Sequence, residues 1–272
     1  MRILLTNDDG IAAEGLAALE RIARTLTDDV WVVAPELEQS GQSRALTLTA
    51  PIRVRELAPK RFAVGGTPTD CVILAIQDIL DGPPDLVLSG INRGQNLAED
   101  VTFSGTVAGA LAAMALNVPG IALSQALSTF HDDEQALYAT PERHAPELIR
   151  KLLDAGWPAG VVLNLNFPDV PPEEVRGTEV TVQGFRDVHN TRAVRRTDLR
   201  GRPYYWMGFQ GTPGEPAHGT DLAAVREGRI SVTPLHIDLT HPQTVERLKG
   251  LFGALPPSPL ALEEAAEGRA DG

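Results

Sequence analysis

Two adjacent carboxylates follow the first apolar segment of the chain. Residues 2–6 read RILLT, and the motif NDDG, which contains Asp8 and Asp9, comes directly after them. Neighbouring carboxylates repel each other unless a cation lies between them. Asn, Asp and Gly also favour turns, so the motif alone fits a turn as well as a metal site. Its position after a predicted strand, where open α/β sheets bind ligands, favours Asp8 and Asp9 as metal ligands and catalytic residues.

Hydroxyl and amide side chains follow two further predicted strands. Ser40 lies in the loop QSGQS (39–43), and Asn92 and Asn96 lie in SGINRGQN (89–96). Such groups complete oxygen shells around hard cations, and amide N–H groups also bind phosphate. Each loop by itself is more typical of an ordinary connection than of a metal site. Together with the acidic pair, they predict a site for one divalent cation, Mg²⁺ or Mn²⁺.

A small-residue helix begins in the motif FSGTVAG (103–109). The backbone N–H groups of Gly105 and its neighbours, with the hydroxyls of Ser104 and Thr106, form an anion site of the kind that binds phosphate. The alternative is a simple Ser N-cap. We expect Ser104 and Thr106 to face the phosphate without touching the metal, so that metal binding stays near its full strength when either hydroxyl is removed.

The elements that position these residues alternate between strands and helices in the first half of the chain. Strands are predicted at 2–6, 30–34, 85–89 and 120–124, with β-type segments at 47–57 and 61–64. Helices are predicted at 15–26, 67–80 and 106–116, the second with Thr67 and Asp70 as a capping box. A polar loop is expected over 90–105. This order predicts a doubly wound, Rossmann-like α/β fold with a mostly parallel sheet.

The second half is less regular and predicts a β-rich C-terminal extension. Helices are expected at 141–155 and 241–251, a strand at 161–167, and β-type segments at 178–182, 203–209 and 229–235. The Arg-rich stretch 186–202 predicts an extended hairpin or arm. We expect one domain over residues 1–255, with a β-rich arm at about 178–235 and a flexible tail at 256–272.

Composition excludes several classes of function. The 272 residues carry a net charge of −12, which disfavours binding to long nucleic acid but not to small anions beside a metal. Cys71 is the single cysteine and is expected in the core, and the six histidines lack zinc-site spacing. With no apolar run of membrane length and no leader sequence, a cytoplasmic protein without membrane contact is expected.

Longer motifs resemble one known family, the SurE-type 5′-nucleotidases. They are RILLTNDDG, VVAPELEQSGQS, GTPTDCV, DLVLSGINRGQN, FSGTVAGA, LNLNFP, GTDLAAVREGRISVTPL and HIDLT. The resemblance implies metal ligands at Asp8, Asp9, Ser40 and Asn92. It implies phosphate-facing residues at Asn96 and at Ser104, Gly105 and Thr106. It also implies hydrolysis of nucleoside 5′-monophosphates, in some members of 3′-nucleotides or short polyphosphate, by homodimers or homotetramers with exchanged C-terminal segments.

The mechanism expected from these residues uses the cation as Lewis acid and charge clamp while an activated water attacks phosphorus in line. A covalent aspartyl-phosphate through Asp8 or Asp9 is the mechanistic alternative. A signalling receiver module also places an acidic pair after its first strand, but it requires a phosphate-accepting Asp and a Lys after later strands. A dinucleotide-binding oxidoreductase would need GxGxxG after the first strand, which is absent from the sequence.

Overall fold

A nine-stranded sheet forms the centre of the protein. The computed structural model describes residues 1–127, 137–186, 191–209 and 214–252. The sheet strands are β1 (Arg2–Thr6), β2 (Asp29–Pro35), β3 (Val54–Ala58), β4 (Arg61–Val64), β5 (Leu86–Arg93), β6 (Gly120–Gln125), β7 (Val162–Phe167), β8 (Thr178–Val180) and β11 (Ile230–Leu235). Their order is β3-β4-β2-β1-β5-β6-β7-β11-β8. The six strands from β4 to β7 in this order are parallel, so their carboxyl ends share one edge.

Helices cover both faces of the sheet. They are α1 (Glu14–Arg24), α2 (Pro68–Leu74), α3 (Gly105–Ala115), α4 (Ala139–Ala155) and α5 (Asp221–Arg226). A further helix, α6 (Pro242–Phe252), follows β11 in the chain. Alternate residues of β1 point to opposite faces: Ile3 and Leu5 pack with α1 and α4, whereas Leu4 packs with α2 and α3. The predicted doubly wound α/β class with a mostly parallel sheet is therefore confirmed.

Local signals in the sequence account for the start of α2. The Thr67 hydroxyl accepts a hydrogen bond from the Asp70 N–H, and the Asp70 carboxylate accepts one from the Thr67 N–H, which is the predicted capping box. A π-helical turn, Ala75–Ile79, continues this helix to about its predicted end. Cys71 is fully buried in the core, as expected.

The structure differs from the sequence prediction after β5 and before β3. Strand β5 continues through Asn92 and Arg93, where a loop was expected, and a 3-10 turn follows at Ala98–Thr102. Pairing of β5 with β6 resumes at Asn92 after a register shift, and this pairing carries the strand past Gly90. A β-type segment was predicted at 47–57, but the strand there is shorter and comprises Val54–Ala58.

The C-terminal part is rich in β-structure, as predicted. Strand β11 pairs antiparallel with β7 and parallel with β8. Strands β9 (Thr191–Thr197) and β10 (Pro203–Phe209) form a separate antiparallel hairpin within the predicted arm. Residues 187–190 of that arm and the predicted tail at 256–272 lie outside the described residues.

Contacts divide the chain into two compact units, residues 1–236 and residues 237–272. The first contains the whole sheet and the hairpin. The described part of the second contains helix α6. Within the described ranges, the model contains no helix of the length and apolar character needed to cross a membrane.

Candidate active site

Asp8 lies buried between the end of β1 and the beginning of helix α3. The Thr106 hydroxyl, itself fully buried, donates a 2.5 Å hydrogen bond to Asp8 Oδ1. Burial raises the pKa of Asp8, while this hydrogen bond and one from the Gly105 N–H act in the opposite direction. The N-terminus of α3 therefore binds the Asp8 carboxylate, and it favours the charged form that a metal ligand needs.

Gly105 allows this close approach because it has no side chain. A Cβ at this position would lie 2.7 Å from Asp8 Cβ and 2.8 Å from Asp8 Oδ2. Real Cβ atoms essentially never come so close, and both neighbouring elements are packed into the core. The first residue of α3 must therefore be glycine for Asp8 to occupy its observed position.

Asp9 is only partly buried and carries a strongly perturbed carboxylate. Its Oδ2 accepts a 3.3 Å hydrogen bond from the Arg93 N–H at the end of β5. Burial, followed by the charge of Asp8, raises the pKa of Asp9 to about 6, and Glu38 contributes in the same direction. This part of the protein therefore concentrates negative charge that a divalent cation would neutralise.

The loop after β2 is tied to two of the other predicted segments. The Gln39 N–H donates to the Asp8 carbonyl at 2.7 Å, and the Ser43 N–H donates to the Phe103 carbonyl at 3.2 Å. Ser40 is exposed, and its hydroxyl donates to Glu38 Oε1 at 2.9 Å. The loop thus lies beside the acidic pair, while the Ser40 oxygen retains lone pairs for a ligand.

Asn92 begins a row of polar side chains that crosses the sheet. Register pairs Asn92 of β5 with Ser124 of β6, Ser124 with Asn166 of β7, and Asn166 with Ser231 of β11. Asn92 Nδ2 donates to the Gly94 carbonyl at 2.8 Å, so its Oδ1 is the atom that could accept a ligand. A row of this kind at the carboxyl end of a parallel sheet is a favourable place for a polar ligand.

Asn96 is buried and held by the neighbouring strands. Its Nδ2 donates to Ser124 Oγ at 2.8 Å, and its backbone N–H donates to Asn166 Oδ1 at 2.8 Å. Its carbonyl accepts hydrogen bonds from Asn164 and Asn166. One N–H of the Asn96 amide remains for a ligand, since the amide has two.

A second anchor fixes the same loop from the C-terminal part of the chain. Asp221, fully buried at the start of α5, accepts hydrogen bonds from the Ala98 N–H at 2.8 Å and the Gly184 N–H at 2.9 Å. Asn96 is therefore held from both sides. Sequence reasoning did not identify Asn164, Asn166, Ser124 or Asp221. The signal for the first two was their spacing, because alternate Asn residues in an otherwise apolar strand share one face.

The donor set fits a hard divalent cation. Within the described ranges, neither Asp8 nor Asp9 forms a salt bridge with a basic side chain, although both are shielded from water. The same ranges contain no group of three or more His, Cys, Asp or Glu residues able to hold a metal. The predicted metal ligands are two carboxylates, one hydroxyl and one amide, and such a set would not count as a group of this kind. His131 and His189 lie outside the described residues.

The structure brings the four predicted segments together, with one difference from expectation. Direct contacts join Asp8 to Gln39 and Thr106, and Asp9 to Arg93. Ser104 caps α3, since its hydroxyl accepts a 3.0 Å hydrogen bond from the Val107 N–H. Thr106 also donates to Asp8, a contact with a predicted metal ligand that was not expected from the sequence. The ligand and phosphate roles of the predicted residues stay predictions.

Comparison with known proteins identifies the family. The family model described as survival protein SurE matches residues 3–190. The 5′-nucleotidase SurE of Caulobacter vibrioides is 65% identical over 258 residues, covering 94% of this chain and 98% of that protein. The corresponding protein of Phenylobacterium zucineum is 61% identical, covering 94% and 99%.

A solved structure supports the same family assignment. The crystal structure of the SurE protein from Aquifex aeolicus matches with a TM-score of 0.78 and 39% identity, covering 92% of this chain and 99% of that one. This chain belongs to the SurE family.

Proposed function

We propose that this chain hydrolyses nucleoside 5′-monophosphates to nucleoside and phosphate with one divalent cation, Mg²⁺ or Mn²⁺, at Asp8 and Asp9. Its relatives at 54–65% identity are named 5′-nucleotidases, and membership of the same family makes this chain a 5′-nucleotidase. The observation that carries the metal proposal is the acidic pair itself. Burial raises the pKa of both adjacent carboxylates, and neither forms an ion pair with a basic side chain in the described residues, although the charge of Arg93 partly opposes the shift at Asp9.

Asp8, Asp9, Ser40 and Asn92 would hold the cation. Asp8 is oriented by Thr106 and by the N-terminus of α3, and Asp9 is oriented by the Arg93 N–H. When bound, the cation supplies Lewis-acid polarisation of the phosphate and neutralises charge that develops on its oxygens. The two carboxylates supply the negative charge that attracts the cation.

Asn96 and the beginning of α3 would orient the phosphate. The remaining N–H of the Asn96 amide and the Thr106 backbone N–H are donors of the type that binds phosphate oxygens, whereas the Gly105 and Val107 N–H groups already donate to Asp8 and Ser104. The Asn96 side chain is fixed by Ser124 and its backbone by Asn166, so these donors lose little freedom when substrate binds. Such preorganised donors stabilise charge in a phosphoryl-transfer transition state.

The contacts of Asp8 favour a ligand role over a covalent one. Its Oδ1 accepts the Thr106 hydrogen bond, and its Oδ2 lies against Gly105. A nucleophilic carboxylate needs an open face toward phosphorus, and Asp8 is almost completely buried. This arrangement supports direct attack by water rather than an aspartyl-phosphate intermediate at Asp8. Hydrolysis of 3′-nucleotides and short polyphosphate is part of the proposal, since the same donors recognise any terminal phosphate.

We also propose that the chain assembles as a homodimer or homotetramer, with exchanged C-terminal segments. The support is the hairpin of β9 and β10. Four consecutive large side chains of β10 are exposed, namely Tyr204, Tyr205, Trp206 and Met207. A contiguous exposed apolar strand of this kind is typical of a protein–protein interface.

Phosphate release from a panel of nucleoside 5′-monophosphates, with Mn²⁺ and after treatment with EDTA, tests the proposed function. We expect release with Mn²⁺ and none after metal removal. A dinucleotide-binding or receiver-type protein would release no phosphate from these substrates under either condition.

A further inference from the structure

Glu38 lies in the loop after β2, two residues before the predicted ligand Ser40. The Ser40 hydroxyl donates to Glu38 Oε1 at 2.9 Å. A hydroxyl has one proton and two lone pairs, so this hydrogen bond uses the proton and leaves both lone pairs of the Ser40 oxygen for a cation. The Glu38 carboxylate therefore determines which side of the Ser40 hydroxyl is available to a metal.

The backbone around Glu38 is fastened to the turn that carries the acidic pair. The Gln39 N–H, between Glu38 and Ser40, donates to the Asp8 carbonyl at 2.7 Å. Gly10 packs against the same segment, since a Cβ at this glycine would lie 3.6 Å from the Glu38 backbone nitrogen. The fold thus holds Glu38 and Ser40 together beside the acidic pair.

The Glu38 carboxylate also adds negative charge at the site. Burial is the largest cause of the raised pKa of Asp8 and of Asp9, and the charge of Glu38 raises both further. Glu36, in the same loop, is paired with Arg55, whereas Glu38 forms no salt bridge among the residues that the structure describes. A third unpaired carboxylate increases the repulsion that a divalent cation would relieve.

The contact with Ser40 distinguishes two roles for Glu38. Its Oε1 accepts the Ser40 proton, so direct binding of a cation by this oxygen would break the hydrogen bond. If the bond is kept, Glu38 orients the Ser40 oxygen and polarises its O–H group, which makes that oxygen a better donor to a metal. Residues that hold a metal ligand in this way typically change metal affinity ten- to a hundredfold.

We propose that Glu38 is a positioning residue that strengthens binding of the divalent cation through Ser40. The inference rests on the proposed function, because it places the cation at Asp8, Asp9 and Ser40. It adds to the site a residue that supports a metal ligand without contacting the metal itself.

A double-mutant cycle on Glu38 and Ser40 tests this role. Mn²⁺ affinity is measured by calorimetry on metal-stripped protein without substrate. We expect Glu38→Ala to weaken Mn²⁺ binding by about tenfold. In the Ser40→Ala background the same change should weaken binding by about twofold at most, because only the weak effect of an exposed charge remains. Glu36→Ala removes an equal charge from the same loop and is the matched control, which should bind Mn²⁺ like wild type.

The metal dependence of phosphate release gives a second readout. With a nucleoside 5′-monophosphate as substrate, Glu38→Ala should need about tenfold more Mn²⁺ than wild type for half-maximal release. Its kcat at saturating Mn²⁺ should equal that of wild type, because excess metal fills the weakened site. A loss of kcat that excess Mn²⁺ does not restore would overturn the inference.

The remaining outcomes separate the inference from the proposed function. Unchanged Mn²⁺ affinity of Glu38→Ala, equal losses in both backgrounds of the cycle, or an equal loss in Glu36→Ala would overturn the inference while the proposed function stood. If the cycle gave the expected result but wild type released no phosphate, the proposed activity would fail and the role of Glu38 would stand. If wild type bound no Mn²⁺, both would fail.

Discussion

Thr106 and Asp8 are 98 residues apart in the sequence, and the Thr106 hydroxyl donates a 2.5 Å hydrogen bond to Asp8 Oδ1. The beginning of helix α3, which the sequence associates with phosphate, thus also orients the first predicted metal ligand. In the proposed site, metal binding and phosphate binding share this structural element, so we expect a change in α3 to affect both.

Thr106→Val should weaken metal binding. The substitution keeps the buried volume but removes a hydrogen bond to a carboxylate, which is worth about 1.5–3 kcal/mol. We expect Mn²⁺ affinity, measured by calorimetry, to fall roughly ten- to a hundredfold. Thr106→Ser retains the hydroxyl and should bind Mn²⁺ like wild type. Equal affinity of Thr106→Val and wild type would show that this hydrogen bond does not support the metal site.

Ser104→Ala provides the contrast within the same helix. Its hydroxyl accepts from the Val107 N–H and has no contact with Asp8 among the described residues. Loss of an N-cap costs about 1 kcal/mol of stability. We therefore expect a lower melting temperature for this variant with unchanged Mn²⁺ affinity.

Gly105→Ala should displace Asp8. The new Cβ would lie 2.7 Å from Asp8 Cβ, so either the strand end or α3 must shift. We expect loss of measurable Mn²⁺ binding and of phosphate release in a protein that is still folded by circular dichroism. Gly208→Ala, where a Cβ meets no atom within 4 Å, is the control and should retain both properties. Normal activity of Gly105→Ala would contradict the close packing of Asp8 on α3.

Asp9 should make the metal-free protein less stable as pH rises. Its pKa is raised from 3.8 to about 6 in the folded state, so the folded protein binds a proton more tightly than the unfolded chain. The stabilisation from this proton is present at low pH and is lost as pH rises through the folded pKa. Wild type should therefore lose stability between about pH 4 and pH 6, whereas Asp9→Asn should lack this part of the pH dependence. Thermal unfolding of both proteins in EDTA across this pH range measures the difference.

Metal binding should show the opposite dependence on pH. A cation competes with the proton on Asp9, so Mn²⁺ affinity should rise as pH increases through about 6 and then level off. A decrease in Mn²⁺ affinity over the same interval would contradict Asp9 as a metal ligand.

The exposed hairpin strand predicts a change in assembly for a charged variant. Trp206→Glu places a charge in the apolar surface of β10, and we expect a smaller particle mass by light scattering at micromolar concentration. Leu48→Glu, at an exposed position outside the hairpin, should leave the particle mass unchanged. A wild-type protein that is monomeric under these conditions would disprove the assembly proposal.

Much of the site could be predicted because local patterns mark it. The apolar run RILLT ends at Asp8 and Asp9, and the structure confirms that strand β1 ends at this acidic pair. Parallel topology then brings the loops after β1, β2 and β5 to one edge of the sheet. The capping box at Thr67 and Asp70 is a similarly local signal, and it is present as predicted.

The remaining features depend on pairing between distant segments. Asn164 and Asn166 lie in a strand that reads as apolar, and only the register of β6 and β7 brings them to Asn96. Asp221 contacts Ala98 across 123 residues of sequence. The continuation of β5 through Asn92 depends on pairing with β6, so the glycine at position 90 wrongly indicated the start of a loop.

Titration of metal-stripped protein with Mn²⁺, with metal binding and phosphate release followed in the same samples, tests the central claim most directly. The substrate is a nucleoside 5′-monophosphate, and the variants are Asp8→Asn and Asp9→Asn, which keep side-chain shape but remove charge. We predict no release without metal, release that increases in parallel with Mn²⁺ occupancy in wild type, and weakened binding and release in both variants. Full activity of the metal-stripped wild type, or unchanged Mn²⁺ binding by Asp8→Asn, would contradict a metal-dependent phosphatase centred on Asp8 and Asp9.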